Sequence, residues 1–265
     1  MKVVLFCGGQ GTRIREGADG GIPKPMIPVG YRPILWHIMR YYSYFGHRDF
    51  VLCLGYRGDA IKSYFRTYDE SVSNDFTLSL GGRRVELLHT DIHDWRITFV
   101  DTGLSSNIGE RLLAVRSHLK DDEVFLANYA DGVSDLDLNR FLETFNASGK
   151  TGAFVAVAPS GSFHVVQTRE DGVVLGVRHV GQSDVRINGG FFAFHRRIFD
   201  YIRPGEDLVA EPFQRLIEAG DLIAYRHHGF WACMDTFKEK QVLDDLCATG
   251  RAPWELWKRD AASSS

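Results

Sequence analysis

The glycine-rich loop near the N-terminus constrains this chain more than any other feature. A short apolar run, Lys2–Cys7, is typical of a buried β-strand, and the segment Gly-Gly-Gln-Gly follows it at positions 8–11. Three glycines in four residues let the backbone turn tightly and present its N–H groups with no side chain in the way. Arg13 adds a planar fork of donors suited to phosphate oxygens, and Lys24 adds a point positive charge. The pattern predicts a phosphate-binding loop at the end of the first strand.

The spacing of this loop excludes two commoner phosphate loops. It lacks the Gly-Lys-Ser/Thr of a Walker A loop and the complete G-x-G-x-x-G of a dinucleotide fingerprint. A simple turn at the strand end explains the glycines alone about equally well. The combination of Arg13 with Pro23-Lys24-Pro25 favours a binding site over that turn.

Strand-like and helix-like segments alternate along the chain. Buried strands are predicted at 2–7, 50–54, 96–100, 124–127 and 222–225, and helices at 33–46, 60–68, 110–119, 138–147 and 211–219. A final helix is predicted to open at Thr236 with a capping box. The apolar runs 153–158, 165–167, 173–177 and 190–194 extend the sheet or form an antiparallel addition, and 69–94 is less regular. The alternation predicts a largely parallel sheet covered by helices.

Composition sets the wider bounds. The 265 residues carry a formal net charge of −3, which argues against a broad nucleic-acid interface. The four cysteines show neither C-x-x-C nor zinc spacing, so we expect a reducing, cytoplasmic setting. The first apolar run is too short for a signal peptide, and no run approaches membrane-spanning length. We expect one domain over 1–258 and a disordered tail over 259–265.

Three segments carry a resemblance to a known family. Gly-Gly-Gln-Gly-Thr-Arg-Ile at 8–14, Pro-Lys-Pro-Met at 23–26 and Pro-Ile-Leu-Trp-His-Ile-Met at 33–39 resemble the sugar-1-phosphate nucleotidylyltransferases, in particular their glucose-1-phosphate cytidylyltransferase branch. The resemblance continues to Ala-Pro-Trp at 252–254. It implies an α/β, Rossmann-like three-layer sandwich with a mostly parallel mixed central sheet and a small antiparallel addition. It also implies a cytoplasmic, homo-oligomeric enzyme of nucleotide-sugar biosynthesis that joins a nucleoside triphosphate, expected to be CTP, to a sugar 1-phosphate and releases pyrophosphate.

The resemblance assigns roles to individual positions. The expected nucleotide-binding residues are Gly8, Gly9, Gly11, Thr12, Arg13, Lys24 and Arg111. The expected catalytic residues are Arg13, Lys24 and Asp131. Asp131 and Asp235 are expected to hold Mg²⁺, a hard cation that prefers a few carboxylates together with phosphates and water. The expected sugar-phosphate-binding residues are Asn188, Gly189, Arg178 and His179.

Each assignment has a plain structural alternative. Asp131 also suits a turn before glycine, and Asp235 also suits a helix start. Lys24 and Arg111 are also explained as solvated side chains, and the segment Asn-Gly-Gly at 188–190 as a bulge in a strand. We interpret His37 and the pair at 227–228 as structural or surface groups.

The chain departs from the family pattern mainly on the acceptor side. Ala130 stands where the family carries the first glycine of Gly-Asp-Gly, a mild change. The Glu-Lys-Pro segment, whose lysine grips the sugar phosphate, is absent, and Arg178 or His179 is the available substitute. The family's Arg-Phe-Gly is Ser-Phe-His at 162–164. A modified sugar phosphate or phosphonate acceptor, or a non-catalytic nucleotide-sugar-binding protein, therefore stays open.

Overall fold

A seven-stranded sheet forms the centre of the molecule. The computed structural model describes residues 1–9, 21–160 and 163–258. The sheet strands are β1 Lys2–Phe6, β2 Asp49–Leu54, β3 Arg96–Asp101, β4 Val124–Asn128, β5 Gly152–Val157, β6 Ile187–His195 and β7 Leu222–Arg226.

The strand order is β7-β5-β6-β4-β1-β2-β3. β1 pairs in parallel with β2 and with β4, β2 with β3, and β5 with β7. Only β6 runs antiparallel to both of its neighbours among these seven strands. The sheet is therefore mixed and mostly parallel, as the sequence predicted, and the carboxyl ends of six strands share one edge.

Helices cover both faces of this sheet. They are α1 Ile34–Tyr44, α2 Gly58–Arg66, α3 Ile108–Ala114, α4 Leu138–Ser148, α5 Glu211–Glu218 and α6 Phe237–Ala248. Along β1, Val3 and Leu5 join the core that contains residues of α1, α2, α4 and α6, whereas Val4 and Phe6 join the core under α3 and α5. Full burial of a side chain such as Leu5 contributes about 2 kcal/mol. The three-layer prediction is confirmed.

Four short antiparallel pairs lie outside the central sheet. They are Pro28–Val29 with Arg32–Pro33, Phe76–Ser79 with Arg84–Leu87, Gly132–Ser134 with Trp231–Cys233, and His164–Thr168 with Val174–His179. The last pair is the predicted antiparallel addition, which we call the acceptor-side hairpin. Single 3-10 turns occur at Lys24–Met26, Glu70–Val72, Leu80–Gly82, Arg116–Leu119, Val180–Gln182 and Arg196–Asp200.

Two details differ from the sequence prediction. Pro33 is the N-cap of α1, with ψ of 150°, and not its first helical residue. The predicted helix 110–119 is an α-helix that begins after a capping box at Asn107 and then a separate 3-10 turn. The capping box of Thr236 and Glu239 is confirmed at the start of α6. Within the described ranges, every helix is too short or too polar to cross a lipid bilayer.

Candidate active site

Lys24 joins the two acidic residues that the sequence singled out. Its Nζ lies 2.7 Å from Asp131 Oδ2 and 2.5 Å from Asp235 Oδ1. The lysine side chain is only 13 % exposed, whereas the carboxylates are 28 % and 38 % exposed. The solvated-lysine alternative is therefore wrong, and both carboxylates keep accessible surface beside the cation.

A short antiparallel pair brings the two acids together. Gly132–Ser134 follows Asp131, Trp231–Cys233 precedes Asp235, and Gly132 stands opposite Cys233 in the register. The Met234 N–H donates to the carbonyl of Asp131 at 2.9 Å, which extends the pairing to the acid itself. Asp131 and Asp235, which are far apart in the chain, thus place their carboxylates side by side at Lys24.

Local geometry then orients each acid. Ala130 has a φ of 62°, a left-handed conformation that turns the chain sharply after β4, and its N–H donates to Asn128 Oδ1 at 2.9 Å. On the other side, the Asp235 and Thr236 N–H groups both donate to Glu239 Oε2 at 2.8 Å. The turn-like and cap-like settings proposed as alternatives are real, and they coexist with the shared position beside Lys24.

Burial and charge together shape the ionisation of the group. Burial raises the pKa of Asp131, as does the nearby charge of Asp235, while Lys24 opposes the rise. Burial also lowers the pKa of Lys24, but the attraction and hydrogen bonds of the two aspartates outweigh it, and that pKa is raised. The two carboxylates need a cation between them, and Lys24 supplies it.

The same donor set fits a magnesium ion. Mg²⁺ takes hard oxygen ligands and is commonly held by one or two carboxylates, with water and substrate phosphates completing the shell. Two accessible carboxylate oxygens already converge on a single cationic group. Asp131 and Asp235 are the described residues that would hold the metal.

The lysine is itself held by a stiff segment. Lys24–Met26 forms a 3-10 turn flanked by Pro23, and Met26 and Ile27 are buried in the core. His37 on α1 fixes the chain just beyond, since its Nε2 lies 2.9 Å from the Val29 carbonyl. His37 is fully buried, so of the two interpretations left open, structural or surface, the structure supports the structural one.

Arg111 lies beneath the glycine loop. Its guanidinium donates to the carbonyls of Gly8 and Leu54, both at 3.2 Å, and to Thr102 Oγ1 at 2.7 Å. A Cβ on Gly8 would stand 1.9 Å from the guanidinium, so only glycine fits there. Arg111 is 3 % exposed, which rules out the solvated-helix alternative. Its contact with the nucleotide stays a prediction.

The structure describes only the first residues of the glycine loop. Gly8 is buried and Gly9 exposed at the carboxyl end of β1. Gly11, Thr12 and Arg13 lie outside the described residues.

Asn188 and Gly189 stand at the start of β6, beside the acid-bearing turn. The Asn188 Nδ2 donates to the Tyr129 hydroxyl at 3.2 Å, and the Gly189 carbonyl accepts from Trp231 Nε1 at 2.8 Å. The pairing of β5 with β6 shifts register here, so the bulge alternative is confirmed. Both residues nevertheless lie next to the turn that carries Asp131.

Arg178 and His179 point to opposite faces of the acceptor-side hairpin. His179 stands opposite His164, with 5.6 Å between their ring centroids, whereas Arg178 stands opposite Val165. Since successive strand residues alternate in direction, at most one of the two faces any given ligand.

Other residues that shape the site were not identified from the sequence. Tyr129, Trp231 and Glu239 hold Asn188, Gly189 and Asp235 respectively. The Glu239 capping signal was visible, but its effect on Asp235 depends on the backbone path. His227 bonds to Asp135 at 3.1 Å, which confirms its structural interpretation.

The architecture is shared with a solved nucleotide-sugar pyrophosphorylase. UDP-glucose pyrophosphorylase complexed with UDP-glucose superposes with a TM-score of 0.67 at 16% identity, covering 94% of this chain and 99% of that chain. No family model matches the sequence. The fold is that of the sugar-1-phosphate nucleotidylyltransferases.

Two full-length relatives identify the branch. The glucose-1-phosphate cytidylyltransferase of Salmonella typhimurium strain LT2 is 41% identical over 260 residues, which span 97% of this chain and 100% of the relative. The glucose-1-phosphate cytidylyltransferase of Salmonella typhi is 40% identical over the same shares. The chain belongs to the glucose-1-phosphate cytidylyltransferase family, as its N-terminal motifs predicted.

Proposed function

We propose that this enzyme transfers the cytidylyl group of CTP to a sugar 1-phosphate, with glucose 1-phosphate as the acceptor, and releases pyrophosphate. Membership of the cytidylyltransferase family supports the reaction class. The observation that carries the proposal is the convergence of Lys24, Asp131 and Asp235 at one point. That convergence provides what the transfer of a phosphoryl-type group between two anions needs.

In the proposed reaction, an oxygen of the acceptor phosphate forms a bond to the α-phosphorus while the bond from that phosphorus to the pyrophosphate oxygen breaks. The acceptor phosphate is already ionised at neutral pH, so no general base is required. When bound, Mg²⁺ supplies charge neutralisation to the transferring group and to the leaving pyrophosphate. Asp131 and Asp235 would hold it.

The Lys24 ammonium has two possible sets of anionic partners, the aspartates and the substrate phosphates. In the structure it neutralises the aspartate pair, and during the reaction it would contact the α-phosphate or the acceptor phosphate. The amide groups of Gly8 and Gly9, with Gly11, Thr12 and Arg13, would bind the triphosphate. Arg111 supports that loop from below through Gly8.

Pyrophosphate release tests this proposal directly. CTP, UTP, dTTP, GTP and ATP are each assayed against several sugar 1-phosphates, with Mg²⁺ and with excess chelator. We expect turnover with CTP and glucose 1-phosphate that the chelator abolishes. Nucleotide binding without turnover for any pair would favour the non-catalytic alternative, and turnover only with a modified acceptor would favour the phosphonate or modified-sugar alternative.

Asp131→Asn tests the proposed metal role. The variant keeps the shape of the side chain but loses its charge, so we expect a higher Mg²⁺ requirement and slower turnover with the fold retained. Asp121→Asn, at an exposed position at the opposite end of β4, is the matched control. An unfolded Asp131→Asn protein, seen by circular dichroism, would instead support a purely structural turn.

We further propose that residues 1–258 form a single nucleotidylyltransferase domain, because strands from residue 2 to residue 226 share one sheet. The four cysteines are free thiols, which supports a cytoplasmic location. Exposed valines on the acceptor-side hairpin, Val166 at 53% and Val177 at 58%, support a homo-oligomer that covers this hairpin.

A further inference from the structure

A cavity with both charged and apolar walls lies beside the proposed acceptor site, on the α5 side of the sheet. It measures about 440 Å³, within the roughly 300–1,000 Å³ typical of small-molecule sites. Its charged and polar walls are Asn188, Arg186, Asp184 and Arg226, and Val209 and Phe213 line its apolar side. Asn188 connects it to the site already described, through the Tyr129 hydroxyl.

The strand register explains why these side chains meet. Arg186 lies immediately before β6, two residues from Asn188, and both side chains line the cavity. Asn188 pairs with Ala156 on β5, and Ala156 pairs with Arg226 on β7. Because Ala156 contributes only a methyl group, the space between Asn188 and Arg226 stays open.

The Arg186 guanidinium is fixed by hydrogen bonds, but one of its donors has no partner among the described residues. Its Nη1 donates to the carbonyls of Ser183 and Val185 at 2.9 Å and 2.8 Å, which fixes the plane of the guanidinium. Its Nε is buried and has no hydrogen-bond partner among the described residues. A buried donor without an acceptor is costly, and an anionic oxygen from a ligand would satisfy it.

We infer that Arg186, with Arg226 beside it, binds the phosphate of the acceptor and supplies the positive charge that the missing Glu-Lys-Pro lysine provides elsewhere in the family. This inference rests on the proposed function. Two guanidinium groups outnumber the single carboxylate of Asp184, so the cavity favours an anion. Arginine also presents its donors in a planar fork that matches phosphate oxygens.

Steady-state kinetics of charge-removing variants test the assignment. Arg186→Met should raise the KM for glucose 1-phosphate at least tenfold and Arg226→Met about threefold, with the KM for CTP within twofold of wild type. Arg186→Lys should fall between wild type and Arg186→Met. Asp184→Asn should lower the acceptor KM, because it removes a like charge. Arg169→Met, at the exposed tip of the hairpin, is the matched control and should match wild type.

A second probe measures anion binding at the same site without the sugar. Inorganic phosphate should compete with glucose 1-phosphate, and its inhibition constant should rise in Arg186→Met by the same factor as the acceptor KM. Thermal melting of each variant checks that the fold is intact. If Arg186→Met disturbs the segment at 183–185 and fails to fold, Arg226→Met and Asp184→Asn still give opposite predicted shifts.

The outcomes separate the two levels of inference. A wild-type enzyme without pyrophosphate release would refute the proposed function. An active wild type whose Arg186→Met and Arg226→Met variants keep the normal acceptor KM would refute this inference alone. A raised acceptor KM in Arg178→Met, with Arg186→Met unchanged, would move the role to the hairpin and also overturn it.

Discussion

The proposed donor and acceptor sides of the sheet edge are built very differently. On the donor side, Lys24 is held by two carboxylates, and Arg111 is 3 % exposed beneath Gly8. On the acceptor side, the hairpin leaves Val166 and Val177 more than half exposed. The described residues of the proposed donor side are therefore held by contacts within this chain, whereas the hairpin presents surface that a ligand or a second copy can cover.

Substitution of Lys24 should give the largest effect and is the strongest test of this comparison. Lys24→Ala should lower turnover by about 100- to 1,000-fold, the scale for removing one group that stabilises the transition state. Without the competing ammonium, Mg²⁺ affinity of the nucleotide-free protein should rise, which titration calorimetry measures. Lys62→Ala, at an exposed position of α2, is the control. Wild-type turnover, or weaker metal binding, would contradict the shared position of lysine and metal.

The next test concerns the stability that His37 gives to the fold beside Lys24 at low pH. Burial lowers the pKa of His37 to about 4, below the 6.5 of an exposed histidine. The folded state favours the neutral His37 ring. The stabilisation that this ring gives to the fold is therefore complete above pH 6.5 and is lost as the pH falls toward 4. The loss amounts to about 3 kcal/mol of unfolding free energy at the acidic limit.

Urea unfolding at pH 7.5, 6 and 5 measures this dependence. His37→Gln should be less stable at pH 7.5 but should lose less stability on acidification. His89→Gln, at an exposed position, should keep the wild-type dependence. Equal pH dependence in wild type and His37→Gln would show that another group controls the acid response.

A smaller effect is expected from the exposed hairpin. Val177→Glu places a charge on the apolar face shared with Val166, so it should reduce the molecular mass measured by light scattering if a second copy covers that face. The free energy of unfolding of the subunit should change by less than about 0.5 kcal/mol, as for most surface substitutions. Gln167→Glu, on the opposite face of the same strand, is the control. An unchanged mass in both variants would leave the hairpin outside any subunit interface.

The last test concerns Ala130, which departs from the family pattern at the turn that carries Asp131. Ala130→Gly relieves the left-handed φ of 62° but loses a buried methyl group and gains freedom in the unfolded chain. These contributions nearly cancel, so we expect a change below about 1 kcal/mol and turnover within threefold of wild type. Ala130→Val should destabilise the protein by more than about 2 kcal/mol, because a branched side chain resists this conformation. Comparable melting of the two variants would argue against backbone strain at this turn.

Local patterns predicted much of the fold. The strand and helix segments, the stop of α1 near Gly46 and the capping box of α6 all follow from short-range spacing and propensity. The position of β6 between β4 and β5, antiparallel to both, could not be read in this way. An apolar strand carries no local mark of its neighbours, since pairing depends on how the whole chain packs.

The sequence by itself determined the family, and it singled out Lys24, Asp131 and Asp235 as candidate site residues. Only the tertiary structure decided that Asp131 and Asp235 share one lysine, because their meeting depends on the pairing of Gly132–Ser134 with Trp231–Cys233. It also decided that Arg111 supports the loop from within and that Arg186 shares a cavity with Asn188. Residue type sets which chemistry is available, but distances between segments far apart in the chain are set by long-range packing.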